Sequence, residues 1–136
     1  MTAENKRILA EFVQAVWIER DLDVLDAFWT VDCVNHAARP GEEIGLAALR
    51  RYHEALATDF AGFEAVTVNI IQQVAEADLV VTHLITNGIH RGAFSGLAPT
   101  GRAVHMRTIR IDRIAHRKIA EHWSLADVPG LQAQLR

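Results

Sequence analysis

Lys118-Ile119-Ala120-Glu121-His122-Trp123-Ser124-Leu125-Ala126-Asp127 crowds polar, titratable and aromatic side chains into ten positions. Read as an extended strand, its successive side chains point to opposite faces. Ala120, His122 and Ser124 then share one face, where small residues flank a histidine as a cavity wall requires. Ile119, Glu121, Trp123 and Leu125 share the other, which is mostly apolar and suited to packing. Asp127 falls where the strand gives way to a short C-terminal helix. The strand is expected to floor a binding pocket.

Working outward, the 136 residues allow one core, so a single domain over 1–136 is expected. Half of the residues are hydrophobic and 23% are charged, the balance of a soluble globular protein. The net charge is -3 and the 14 basic residues are scattered, which gives nucleic-acid binding no electrostatic support. Glu4 and Glu11 interrupt the first apolar pattern, unlike a signal peptide. No apolar run is long enough to span a membrane. The lone Cys33 has no intrachain partner and fits a reduced compartment. A cytoplasmic protein is therefore expected.

Ile8, Leu9, Phe12, Val13, Val16 and Trp17 recur at helical spacing and predict an amphipathic helix over roughly residues 3–19. Asp21 is placed to cap a short second helix that buries Leu22, Leu25, Phe28 and Trp29. Residues 32–36 read as a short extended segment, and Leu46, Leu49, His53, Leu56 and Phe60 as a third helix. After Gly62 the period becomes extended. Strands are expected over 66–74, 79–90, 104–114 and 118–127, with a Gly- and Pro-containing loop over 92–102. Helices grouped before a meander of strands predict an α+β fold, with helices on one face of a curved sheet that leaves a conical cavity. Ile109, Ile111, Trp123 and Leu125 fall on the opposite sheet face, so a homodimer through that face is expected.

The segments Gly88-Ile89-His90-Arg91-Gly92-Ala93-Phe94, Gly96-Leu97-Ala98-Pro99-Thr100-Gly101-Arg102 and Lys118-Ile119-Ala120-Glu121-His122-Trp123 resemble the SnoaL-like polyketide cyclases. The N-terminal helix, the second helix and the Asp32–Asn35 segment match in order, so the resemblance covers nearly the whole chain. It implies the cone-shaped nuclear-transport-factor-2-like fold. It also implies a small-molecule ligand and an aldol-type ring closure without metal or cofactor. In such cyclases an aspartate of the last strand is the acid/base, and a histidine and an asparagine line its pocket. Carried over, Asn35, Trp17 and Tyr52 match pocket positions. The aspartate position holds Ser124, the histidine position holds Arg110, the Asp-Gly turn is His116-Arg117, and Asp127 is kept.

A serine hydroxyl is no base near neutral pH without an activating partner. The residues therefore suggest a rearranged site. His122 would be the base, with Arg110 and Asn35 as anion stabilisers, Ser124 as an orienting hydrogen-bond group and Asp127 retained among the catalytic set. Trp17, Tyr52, Met106 and Thr108 would line the substrate site. Arg110 and Asp112 also stand in the R-x-D spacing that epoxide hydrolases of the same cone use with a second aspartate, but that aspartate would fall on Ser124. The seven histidines show no helical H-x-x-x-H pair, so no metal site is expected. The alternative to catalysis is a small-molecule binding protein of the same fold.

Overall fold

The computed structural model describes residues 1–136. Helix α1 (Thr2–Phe12) buries Ile8, Leu9 and Phe12. The expected single helix over 3–19 is interrupted: Val13–Ile18 continues as a wider π-helical turn, with the Glu19 N–H donating to the Gln14 carbonyl five residues back. Such a bulge rotates the side chains that follow it, and it commonly marks a functional position. Asp21 caps the next turn as expected, its Oδ1 accepting from the Asp23 N–H at 3.1 Å. A 3₁₀ turn (Leu22–Val24) and helix α2 (Leu25–Phe28) lead into strand β1 (Trp29–Asn35). Helix α3 (Leu46–Asp59) buries Ala48, Leu49 and His53.

The rest of the chain is a meander: β2 (Phe63–Glu76), β3 (Leu79–His90), β4 (Ala103–Ala115) and β5 (Lys118–Ala126), then helix α4 (Val128–Gln134). The sheet runs β1-β5-β4-β3-β2, antiparallel except for β1 against β5. The β4–β5 turn at His116-Arg117 has positive φ at both residues (52° and 64°). Two-residue hairpins demand this geometry, and glycine meets it at least cost. The loop after β3 reaches back to α3 through two glycines. A Cβ on Gly62 would lie 2.6 Å from the Ala93 carbonyl oxygen, and the Gly62 carbonyl accepts from the Arg91 and Gly92 N–H groups.

The core lies between the helices and the concave face of the sheet. Leu9, Phe12, Val13, Val16, Trp29, Leu49, Val80 and Ile119 are essentially inaccessible there. A second cluster of Phe94, Val104, Leu131 and Leu135 closes the end nearest α4. Ile119 departs from the expected alternation. A bulge between the pairs Arg113–Glu121 and Ile114–Ile119 leaves Ala120 unpaired, so Ile119 and Ala120 are both buried. Beyond the bulge the alternation holds. His122 is 5% exposed, whereas Leu125 is 84% exposed on the convex face.

Candidate functional site

The open end of the cone holds a cavity of about 530 Å³, most of whose lining residues are hydrophobic. This is the size and character of a small-molecule site. Trp17 enters from the π-helical turn, Tyr52 from α3, and Met106, Thr108, Arg110, His122 and Ser124 from β4 and β5. Two candidate residues stand outside the lining. Asn35 is fully buried in β1 as the register partner of His122, and its Oδ1 accepts from the Ala37 N–H at 3.0 Å. Asp127 caps α4, its Oδ1 accepting from the Gly130 N–H at 2.9 Å. The cap accounts for Asp127, whereas Asn35 has a backbone partner for Oδ1 and none for its buried Nδ2.

At the polar end of the cavity, β4 and β5 place four residues in two directly opposed pairs, Arg110 with Ser124 and Asp112 with His122. Arg110 donates to Asp112 through Nε–H (2.7 Å to Oδ2) and Nη2–H (2.9 Å to Oδ1). His122 Nδ1 lies 2.8 Å from Asp112 Oδ1, and His122 Nε2 lies 3.0 Å from Ser124 Oγ. An ionised carboxylate can only accept, so the Nδ1 proton is assigned toward Asp112. His122 Nε2 is then the acceptor for the Ser124 hydroxyl. With Nδ1 protonated, the 3.2 Å approach of Arg110 Nη2 to that nitrogen is proximity rather than a hydrogen bond.

Burial fixes the charge states. Desolvation alone would raise the Asp112 pKa, but the Arg110 charge and the bonds from Arg110 and His122 win and lower it to about 2. Desolvation pushes the His122 pKa down, and repulsion from Arg110 adds to this; Asp112 opposes both without reversing the direction. His122 is therefore a neutral imidazole near pH 7. Burial also raises the Tyr52 pKa, so its hydroxyl, which lies beside Ser124, keeps its proton. His53, one layer behind, is lowered to about 3, first by burial and then by Arg110, His122 and Arg20. Its ring meets those of Trp17 and Phe12 at centroid distances of 5.0 and 6.2 Å.

Two nitrogen donors on side chains that line the cavity have no protein partner. Trp17 Nε1 is buried without a hydrogen bond, on a side chain that lines the cavity. Arg110 Nη1 makes no hydrogen bond to protein, while the guanidinium is held 5.0 Å over the Phe12 ring. A ligand carrying oxygen acceptors would satisfy both. No three His, Cys, Asp or Glu side chains converge as a metal cluster would require.

The sequence reading missed Asp112 as a member of this group. Its signal was present: residues 110 and 112 share a strand face, as do 122 and 124. Which β4 residue opposes which β5 residue depends on the hairpin register and the bulge, and neither is visible in the alternation.

The family model for SnoaL-like polyketide cyclases matches residues 7–135. Among solved structures, IdmH of Streptomyces antibioticus, a candidate polyketide cyclase, is 25% identical, with a TM-score of 0.81 over 96% of this chain and 97% of its own. AclR of Streptomyces galilaeus, a candidate hydroxylase, is 26% identical, with a TM-score of 0.79 over 99% and 86%. A SnoaL-like polyketide cyclase of Agrobacterium tumefaciens is 20% identical, with a TM-score of 0.74 over 97% and 98%, and supports the fold alone. No curated protein matches the chain in sequence.

Proposed function

We propose that this protein, which belongs to the SnoaL-like polyketide cyclase family, catalyses an aldol-type cyclisation or a related proton transfer on a small, largely apolar, oxygenated molecule, without a cofactor. The observation that carries this reading is His122: a buried neutral imidazole at the cavity wall, held in one tautomer by Asp112. An imidazole of that kind suits abstraction of a proton α to a carbonyl. Ser124 covers Nε2 in the free protein, so the base reaches the substrate when that hydroxyl turns aside or relays the proton. Arg110 Nη1 would hold the developing enolate, and Trp17 Nε1 a second oxygen.

Mass spectrometry of α-hydrogen exchange in deuterated buffer tests this on a panel of apolar diketones and polyketide-like β-dicarbonyls. The expected outcome is exchange or ring closure by the wild type and a loss of about 100-fold or more in His122→Ala. Exchange that survives His122→Ala would remove the histidine from the chemistry.

One observation favours a second reading, a non-catalytic binding protein: Ser124 stands where the resembling cyclases carry the acid. Thermal-shift hits from the same panel that show neither exchange nor turnover would select it. The same reading of the chain includes a cytoplasmic location and a homodimer through the convex face. The register sets Val74, Val81, Ile111 and Trp123 in one apolar row across four strands of that face. Light scattering on the purified chain separates the dimer from a 15.1 kDa monomer.

A further inference from the structure

We propose that Ser124, His122 and Asp112 form a nucleophilic triad, giving this cavity an acyl-transfer activity toward carboxylic esters of small apolar molecules. This goes beyond the proton-transfer reading and shares with it His122, the Asp112 carboxylate that orients it and the Arg110 donor; the nucleophile is new.

Three features carry it. First, the chain of contacts is continuous and correctly ordered. Ser124 Oγ lies 3.0 Å from His122 Nε2, and His122 Nδ1 lies 2.8 Å from Asp112 Oδ1. A nucleophile, a base and an orienting carboxylate are recognised by such geometry and by their roles, whatever their order in the chain. Second, the orienting carboxylate is fully buried and clamped at both oxygens by Arg110, so it cannot swing away from the imidazole. Third, Ser124 lines the cavity alongside donors suited to an oxyanion. The Tyr52 hydroxyl lies beside it, and Arg110, its direct cross-strand partner, offers an Nη1 with no protein partner. An oxyanion formed at Ser124 would sit against a cation and a neutral hydroxyl in a mainly apolar enclosure, where such donors act most strongly.

The chemistry balances without an external reactant other than water. Ser124 Oγ bonds to the acyl carbon as its proton passes to His122 Nε2. The C–O bond to the alcohol breaks, and the alcohol leaves with that proton. Water then adds to the acyl carbon and gives a proton to His122. The serine oxygen departs, recovers that proton, and the carboxylic acid is released. Asp112 touches no reacting atom and acts as a positioning residue.

The test is covalent labelling of the full chain with a fluorophosphonate probe, read by intact-mass and peptide mass spectrometry, together with hydrolysis of short-chain p-nitrophenyl and naphthyl esters. The expected result is one label, on Ser124, and ester hydrolysis lowered about 100-fold or more by Ser124→Ala and by His122→Ala. Asp112→Asn should slow labelling and move its apparent pKa downward, because the carboxylate raises the pKa of His122; a purely structural role would slow labelling without that shift. Should Asp112→Asn not fold, Ser124→Cys gives the second readout, with thiol alkylation at position 124 slowed by His122→Ala. No label on Ser124, or ester hydrolysis unchanged in Ser124→Ala, overturns the triad. The two readings separate by what each leaves behind: α-hydrogen exchange depends on His122 and forms no covalent adduct, whereas ester hydrolysis depends on His122 and Ser124 and passes through an acyl group on Ser124 that intact mass detects.

Discussion

On the concave side of β4 and β5, Arg110, Asp112, His122 and Ser124 alternate with Ile109, Ile111, Trp123 and Leu125 on the convex side. The concave set is charged or polar, and its first three members are nearly inaccessible. The convex set is apolar, yet Ile109 is 44% exposed and Leu125 84%. Burial here does not follow residue polarity. Where ions are taken out of water, each is paired: Asp112 meets a guanidinium and an imidazole, and Arg110 also rests on Phe12. Desolvating such groups costs more than hydrophobic packing at the same place, so stability alone does not explain them. The proposed chemistry at the cavity would give them a use. The exposed apolar set has the opposite logic, since wet isoleucine and leucine gain free energy only when another surface covers them.

The sharpest way to break the contrast is to strip the concave face of its anion. Asp112→Ala leaves Arg110 buried without a counter-charge and should cost about 3–5 kcal/mol in urea unfolding. The double change Arg110→Met with Asp112→Leu should recover most of that stability while abolishing any activity. A loss below about 1 kcal/mol for Asp112→Ala would show that the pair is not held as tightly as its distances imply.

Acid probes the buried titratable groups on that face and on α3 behind it. His53 is held neutral in the fold down to about pH 3, while in the unfolded chain it binds a proton near 6.5. Between those values the unfolded state carries more protons, so stability rises with pH and falls as the solution is acidified. Each pH unit in that window should remove roughly 1.4 kcal/mol, and His122, shifted the same way, adds to the slope near its upper end. Asp112, whose folded pKa is depressed, adds a further loss only between about pH 4 and 2. Chemical denaturation at pH 7, 6, 5 and 4 checks this, and His53→Leu should flatten the profile.

The convex face answers to a different perturbation. Ile111→Lys with Leu125→Lys should turn a dimer into a monomer in sedimentation velocity, with each site changing the stability of the isolated chain by no more than about 0.5 kcal/mol. A wild-type chain that sediments as a monomer at high concentration would leave the apolar row without its proposed cover. The smallest effect belongs to the hairpin joining the two faces. Arg117→Gly relieves a positive φ of 64° and should add about 0.5–1 kcal/mol, less whatever the exposed Arg117–Glu4 pair contributes.

Much of the fold was legible because periodicity is local. The 3.6-residue spacing of Leu46, Leu49 and His53 located α3, and residues 79–90 read as a strand with the bounds it has. Asp21 and Asp127 announced the turns they cap. The end of the first helix did not read through, because a π-helical turn preserves the apolar stripe while changing the hydrogen-bond ladder beneath it. Ile119 was assigned to the wrong face for a similar reason, since one unpaired residue inverts all alternation on one side of it.

By itself the sequence determined which side chains of the last two strands share a face, and so that His122 and Ser124 look the same way. That follows from the two-residue repeat of an extended chain and needs no partner. Only the tertiary structure decided that Asp112 stands opposite His122 and Arg110 opposite Ser124. That pairing is set by the His116-Arg117 turn and the bulge at Ala120, which fix the register between strands. It is this register, together with burial by α1 and α3, that makes a histidine flanked by small residues into a neutral, oriented imidazole with a serine on its other nitrogen.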